Sequence, residues 1–167
     1  MAKSDSFFIR KTISTNGTTY AEDSVDLGSY VDALGKSVMR VHTLSVQYGS
    51  PTGTVGVGAA GGHSTTAFQI TTQSQASMVN ASDRSLVASG RLIGGNEPAS
   101  ASLGFVTEHL DIAPQQWRNG YLVGVEQIYL ATDSVGNAIV DEITVVMECT
   151  VETLSQSAAM ALALSQQ

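Results

Sequence analysis

The stretch Glu142-Ile143-Thr144-Val145-Val146-Met147-Glu148-Cys149-Thr150-Val151-Glu152 decides the fold class. Its odd positions hold apolar side chains, whereas its even positions hold mainly threonine and glutamate. Successive side chains of a β-strand point to opposite faces, so this alternation predicts a long strand with one buried and one solvated face. An antiparallel sheet that covers a core on one side has this pattern.

The polar face of this strand carries three carboxylates, Glu142, Glu148 and Glu152. They could form a calcium or acid/base set or simply a solvated sheet face, and we favour the solvated face. Cys149 lies on the apolar face, where we expect a small buried hydrophobic side chain rather than a reactive thiol.

Other parts of the chain have the same strand-like texture. These candidate strands cover residues 6–14, 18–24, 37–48, 65–72, 84–93 and 121–131. Asn16-Gly17 between the first two predicts a β-hairpin, because both central residues of a type I′ turn need positive φ. Loops rich in Gly, Ser and Asn are expected at residues 49–64, 94–98 and 133–137. About eight strands joined in this way predict an all-β fold, an antiparallel β-sandwich or barrel.

Residues 23–35 fit two patterns. Leu27, Val31 and Leu34 would share one helical face closed by Gly35, whereas residues 25–31 also alternate like a strand. We favour a short strand and a turn.

In the C-terminal tail the apolar residues no longer alternate with polar ones as they do in a strand. Ser155 can cap a short helix through residues 158–164, which are rich in Ala and Leu and nearly free of β-branched residues. We therefore divide the chain into a β-sandwich over residues 1–154 and a helical tail over residues 155–167. The tail is so apolar that it is expected to pack on its own sandwich or on a neighbouring subunit.

Composition excludes several partners. The charged fraction is 14% and the formal net charge is −7, from 8 basic and 15 acidic residues. This balance argues against nucleic acid or an anionic membrane surface as the direct partner. One cysteine cannot form an internal disulfide, and no signal peptide or membrane-spanning segment is apparent. We expect a soluble intracellular product, or one that leaves the cell without a secretion signal.

Catalytic and cofactor motifs have little support. Residues 56–61 match the pattern G-x-G-x-x-G, but a strand-like run follows instead of the helix that dinucleotide binding needs. His42, His63 and His109 have no partner at metal-ligand spacing, and a Gly-x-Ser-x-Gly nucleophile elbow is absent. The sequence thus predicts no catalytic residues, no cofactor and no metal.

Trp117, the only tryptophan, precedes Tyr121 at the start of a strand. It is open to two interpretations, a core plug or an interface anchor. Together with the apolar tail and the low charge, it favours assembly into an oligomer. The candidate subunit-interface residues are Trp117, Tyr121, Met160, Leu162 and Leu164.

Three segments carry a resemblance to a known family. Residues 26–32 (DLGSYVD) with Gly35-Lys36, residues 38–42 (VMRVH), and residues 120–130 (GYLVGVEQIYL) lie before the long last strand and the Ala/Leu tail. In texture and order they resemble the small single-jelly-roll major capsid proteins of icosahedral viruses with an internal membrane. The resemblance spans about residues 20–165.

This resemblance implies a single jelly roll and a role as capsid subunit that self-assembles into an icosahedral virion shell. The partners would be copies of the same chain, with a second capsid protein as a further candidate. The shell would enclose a membrane, and the protein would be made in the host cytoplasm.

Two alternatives stay open. The first is a non-catalytic carbohydrate-binding β-sandwich that stacks sugars on Trp117 and Tyr121. The second is a small β-barrel enzyme, which predicts a pocket where His42 or His109 meets a carboxylate.

Overall fold

The computed structural model describes residues 4–15, 19–32, 36–51, 60–97, 103–113, 117–136 and 140–167. They form nine strands: β1 (Phe7–Ser14), β2 (Ala21–Asp26), β3 (Ser37–Tyr48), β4 (His63–Thr71), β5 (Leu86–Asn96), β6 (Leu103–Ile112), β7 (Tyr121–Val123), β8 (Gln127–Val135) and β9 (Glu142–Thr153). One helix, α1 (Gln156–Ser165), follows.

The strands form two antiparallel sheets. Sheet one has the order β1-β9-β3-β7 and sheet two the order β2-β8-β4-β5-β6. The first strand pairs with the last, and the chain repeatedly crosses between the sheets, which is the topology of a single jelly roll with an added strand, β6. The predicted all-β sandwich with a C-terminal helix is therefore confirmed, as is the jelly roll that the resemblance implies.

The core lies between the sheets, and β9 contributes to it as its alternation predicts. Ile143, Val145, Met147 and Cys149 are fully buried. They face side chains of sheet two such as Phe68. Burial raises the pKa of the Cys149 thiol to about 12, which keeps the thiol protonated at neutral pH.

The predicted hairpin between the first two strands is wrong. β1 pairs with β9 in sheet one, whereas β2 pairs with β8 in sheet two. The chain thus crosses from one sheet to the other after Ser14, because each strand finds its partner far away in sequence. Asn16-Gly17 lies outside the described residues.

The predicted strand over residues 121–131 is two strands. β7 belongs to sheet one and β8 to sheet two, and Gly124 lies in the short connection between them. Leu162 of the helix packs so closely on Gly124 that a Cβ atom there would lie 2.9 Å from the Leu162 Cγ. The helix therefore packs directly on the connection where the chain passes from sheet one to sheet two.

Three further boundaries differ from the prediction. β5 continues through Gly94 and Gly95 to Asn96, and β8 continues through Asp133 to Val135, where loops were expected. β6 was not predicted at all. In β5 and β8, ladder hydrogen bonds to a neighbouring strand hold residues such as Gly94, Gly95 and Asp133, which have weak local strand preference. In the stretch 23–35, residues 23–26 complete β2 and a turn follows at residues 28–30, so the alternating run over residues 25–31 is a strand only as far as Asp26. Residues 33–35 lie outside the described residues.

The strands run between two ends of the sandwich. We call the end near Ser37, Thr71 and Thr153 the helix end and the end near Tyr48 and His63 the far end. β7 pairs only with Met39–Val41, close to the helix end. β2 pairs with β8 only as far as Thr132. At the far end, the described part of sheet one therefore has three strands opposite four of sheet two.

Candidate functional site

The helical tail is mounted on the helix end of the sandwich. The Ser155 hydroxyl accepts a hydrogen bond from the Ala158 amide at 3.3 Å, which is the predicted N-cap. Ala159 and Ala163 form the buried side of the helix. Their small side chains let the helix approach the β7–β8 connection closely.

Gln166 locks the end of this helix. Its Oε1 accepts from the Gly124 amide at 2.8 Å, and its Nε2 donates to the Leu122 carbonyl at 2.7 Å and to the Tyr121 hydroxyl at 3.1 Å. Its backbone carbonyl accepts from the Thr72 hydroxyl at 2.7 Å. One buried amide side chain and its carbonyl thus join the helix to β7 and to the β4–β5 loop.

The opposite side of the helix is an exposed apolar surface. Met160 is 43% exposed and Leu164 is 68% exposed, one helical turn apart. Residues 155–167 contain no charged side chain. We call Met160 and Leu164 the helix ridge. Two of the five predicted interface residues therefore lie on the surface, whereas Leu162 packs against Gly124.

Trp117 and Tyr121 form an aromatic pair beside the helix. Their ring centroids are 4.9 Å apart with an interplanar angle of 38°. Both rings are half-buried and pack against the core. Burial raises the pKa of the Tyr121 hydroxyl, and the hydrogen bond from Gln166 partly offsets this effect. Trp117 therefore packs against the core with part of its ring exposed, and its role as an interface anchor stays a prediction.

A cleft of about 580 Å³ lies between this aromatic pair and the end of the helix. We call it the arginine cleft, because Arg40, Arg84 and Arg118 line it together with Trp117 and Tyr121. These are three of the 8 basic residues in the chain. No aspartate or glutamate is among the described residues that line it. The charges come from three distant segments, so the sequence gives no local signal for the cleft.

Arg40 is the structural member of the cleft. Its Nε and Nη2 donate to the two carboxylate oxygens of Glu152 at 2.7 and 2.8 Å, and its Nη1 donates to the Asn119 carbonyl at 2.6 Å. The pair is largely buried, with 19% and 10% of the two side chains exposed. Glu152 therefore departs from the predicted solvated face of β9, and the Arg40 fork fixes the loop that carries Trp117.

The outer face of sheet two is covered near the helix end by the β4–β5 loop. Gln69, which is fully buried, accepts from the Val79 amide at 2.8 Å and donates to the Ser77 carbonyl at 3.2 Å. These bonds fasten the loop over the sheet.

At the far end the same face carries an exposed apolar surface. Val135, Thr65 and Ile93 are directly opposite one another across β8, β4 and β5. Phe105 of β6 is paired with Gly95 and lies over it. Phe105 is 58% exposed and Val135 is 64% exposed. We call Ile93, Phe105 and Val135 the far-end patch.

Sequence reasoning missed the far-end patch. Its members lie on three different strands and meet only through the register of sheet two. The run Phe105-Val106-Thr107 of aromatic and β-branched residues is a local signal that could have indicated β6.

In the described residues His42 and His109 each lie beside a threonine hydroxyl. The His42 Nε2 is 2.8 Å from the Thr150 hydroxyl, at a bulge of β3, and His109 Nε2 is 3.3 Å from the Thr107 hydroxyl on exposed β6. In the part of the chain that the structure describes, no three His, Cys, Asp or Glu residues are placed to hold a metal. Within the same residues no helix is long and apolar enough to span a membrane.

No protein-family model and no curated protein matches the chain. Among solved structures it is similar to VP1 of Trichodysplasia spinulosa-associated polyomavirus, with 6% identity over 88% of this chain and 96% of that chain and a TM-score of 0.45. It is similar to dimeric latent PorU from Porphyromonas gingivalis, with 10% identity over 87% of this chain and 13% of that chain and a TM-score of 0.40. It is also similar to a turnip yellow mosaic virus structure, with 13% identity over 90% of this chain and 97% of that chain and a TM-score of 0.33. Likenesses of this size identify neither a family nor a function.

Proposed function

We propose that the protein is a structural subunit of a viral shell, which assembles with copies of itself through its two apolar surfaces. The observation that carries the proposal is the placement of the helix ridge and the far-end patch at opposite ends of one sandwich. Single exposed apolar residues are common on monomers, but grouped and uncharged ones mark contact sites.

The two surfaces lie at opposite ends of β4. β4 runs from the far end at His63 to the helix end at Thr71, where Thr72 bonds to Gln166. Eight steps of about 3.3 Å give a separation of about 26 Å. Each surface is therefore available to a different neighbour.

The two surfaces also differ in kind, since one is a helix ridge and the other a sheet face. A contact between unlike surfaces is heterologous, and such contacts continue from copy to copy until a ring or shell closes. The proposal thus assigns the helix ridge of one copy to the far-end patch of the next. It includes no catalytic step. The virus group, a second capsid protein and an enclosed membrane are further details of the proposed function, and they rest on the sequence resemblance.

Light scattering coupled to size-exclusion chromatography, followed by electron microscopy, tests assembly. We expect the purified chain to form oligomers or particles as its concentration rises. Phe105→Asp with Val135→Asp and, separately, Met160→Asp with Leu164→Asp should each give monomers, because a charge in a buried contact is costly. Phe8→Asp changes an aromatic side chain of comparable exposure, 53%, outside both surfaces and should leave assembly unchanged.

Mixing the two double variants tests the pairing of the surfaces. Each variant keeps one intact surface, so the mixture should form dimers that cannot grow further. A wild-type chain that stays monomeric at high concentration would overturn the proposed function. Variants that assemble like wild type would refute the assignment of the surfaces.

A further inference from the structure

We propose that the arginine cleft binds an anionic saccharide, a sugar ring that bears a carboxylate or sulfate group. The cleft lies within one copy of the chain, so this site does not depend on assembly. The inference rests on the charge, the aromatic lining and the rigidity of the cleft.

The charge of the cleft runs against that of the molecule. The chain has a net charge of −7, yet Arg40, Arg84 and Arg118 meet in one cleft that no described carboxylate lines. Glu152 neutralises Arg40 from beneath. Arg84 and Arg118 are exposed and face an opening of ligand size, since small-molecule sites have volumes of about 300–1,000 Å³.

The acidic neighbour of Arg84 is Asp83, whose carboxylate already accepts hydrogen bonds from another residue. Asp83 accepts hydrogen bonds from the Ser85 amide at 2.8 Å and from the Ser85 hydroxyl at 2.7 Å. These bonds, more than Arg84, hold the pKa of the Asp83 carboxyl below its usual range. The guanidinium of Arg84 therefore keeps donors for an incoming oxyanion, and the planar fork of arginine suits carboxylate and sulfate oxygens.

The rest of the lining suits a sugar ring. Trp117 offers an aromatic surface on which the C–H groups of a pyranose can stack, and its tilt against Tyr121 leaves no parallel slot for a flat base. Asn119 and Ser165 add an amide and a hydroxyl that can bond to sugar hydroxyls. An aromatic platform with polar groups and two cations matches an acidic sugar better than a bare ion.

The cleft is held in place before any ligand arrives. The Arg40 fork fixes the Asn119 carbonyl, and Gln166 fixes Tyr121 and Leu122. Gly120 has a φ of +71° and lies so close to the Val41 carbonyl that a Cβ atom would be 2.3 Å away. A site ordered in advance loses little entropy on binding, which favours affinity for a small ligand.

Calorimetric titration of the full chain with defined tetrasaccharides tests this site. The probes are hyaluronan tetrasaccharide for the carboxylate, keratan sulfate tetrasaccharide for the sulfate and chitotetraose as the neutral sugar. We expect at least one acidic sugar to bind about tenfold more tightly than chitotetraose, and the affinity to fall as salt rises. The emission of Trp117, the single tryptophan, should change with the same midpoint because the ligand lies against it.

Substitutions at exposed positions locate the binding. Arg84→Gln and Arg118→Gln should each weaken the acidic sugar about threefold, and the double variant about tenfold, with chitotetraose unaffected. Arg91→Gln removes an exposed arginine that pairs with Asp111 on the outer face of sheet two, and it should change nothing. Equal binding of neutral and acidic sugars, tighter binding of adenosine monophosphate or inorganic sulfate, or unchanged affinity in the double variant would each overturn the proposal.

Discussion

The two ends of the sandwich are stabilised in different ways. At the helix end, polar side chains such as Gln166 and Arg40 tie separate segments together, and their partners are buried or half-buried. At the far end, Phe105 and Val135 lie on the surface of sheet two with no described element over them. The helix end is thus tied together by polar contacts between described segments, whereas the described residues leave Phe105 and Val135 of the far end on the surface.

The largest expected difference concerns two ion pairs. Glu152→Ala leaves the largely buried Arg40 guanidinium without its carboxylate, so we expect unfolding free energy to fall by about 2–4 kcal/mol. Asp111→Ala breaks the exposed ion pair with Arg91 on the outer face of sheet two, and it should lower the unfolding free energy by less than about 0.5 kcal/mol. Chemical denaturation measures both. Equal losses would contradict the contrast between the paired side chains.

Two glycines provide the next comparison. Gly124→Ala places a methyl group against the Leu162 side chain and the Ala163 amide, so the helix must move, at a cost of about 1–3 kcal/mol. Gly95→Ala meets only the ring of Phe105, which is exposed and can rotate away, and should cost less than about 1 kcal/mol. Thermal denaturation followed by circular dichroism tests the pair. A costlier change at Gly95 would show that Phe105 is held in place.

Two tyrosine hydroxyls sharpen the contrast further. Tyr121→Phe removes the acceptor of a Gln166 hydrogen bond at the helix end and should cost about 0.5–1.5 kcal/mol. The buried Tyr48 hydroxyl at the far end has no hydrogen-bond partner in the described structure. Tyr48→Phe should therefore be neutral or slightly stabilising. A loss at Tyr48 as large as that at Tyr121 would reveal a partner for its hydroxyl.

The same tyrosines predict the smallest effect, a change at alkaline pH. Burial raises the pKa of Tyr48 above its ordinary value of 10.0, with Glu108 and Asp111 adding to the shift, and burial also raises the pKa of Tyr121. The folded state therefore favours the neutral phenol. Its contribution to stability is complete below pH 10 and is lost as the pH rises through the folded-state pKa.

Unfolding free energy measured across alkaline pH checks this sign. The decline should be shallower in Tyr48→Phe than in wild type. A wild-type curve that is flat above pH 10 would contradict the prediction.

Much of the fold could be predicted because β9 is a half-buried strand whose alternation records its two environments. The helix could be predicted as well, because the Ser155 N-cap and the Ala/Leu run favour a helix through local preference alone. The wrong hairpin at Asn16-Gly17 has a different cause. A turn signal cannot tell which strand a chain will pair with when both partners, β8 and β9, lie more than a hundred residues away.

The candidate sites also differ in whether their residues are close in sequence or meet only in the folded chain. Trp117 and Tyr121 are close in sequence, and their pairing could be anticipated. Arg40 of β3 and Arg84 of the β4–β5 loop line the same cleft, and Phe105 shares a sheet face with Val135 across two intervening strands. Such sets depend on register over the whole sheet, which no local pattern encodes.

The unequal sheets have a consequence for curvature. At the far end three described strands of sheet one oppose four of sheet two, so the described sandwich is wider on one side by about one strand spacing of 4.8 Å. If copies stood side by side in the same orientation, this taper would curve the layer with sheet two on the convex side. The added strand β6 would then influence the radius of any shell that they build.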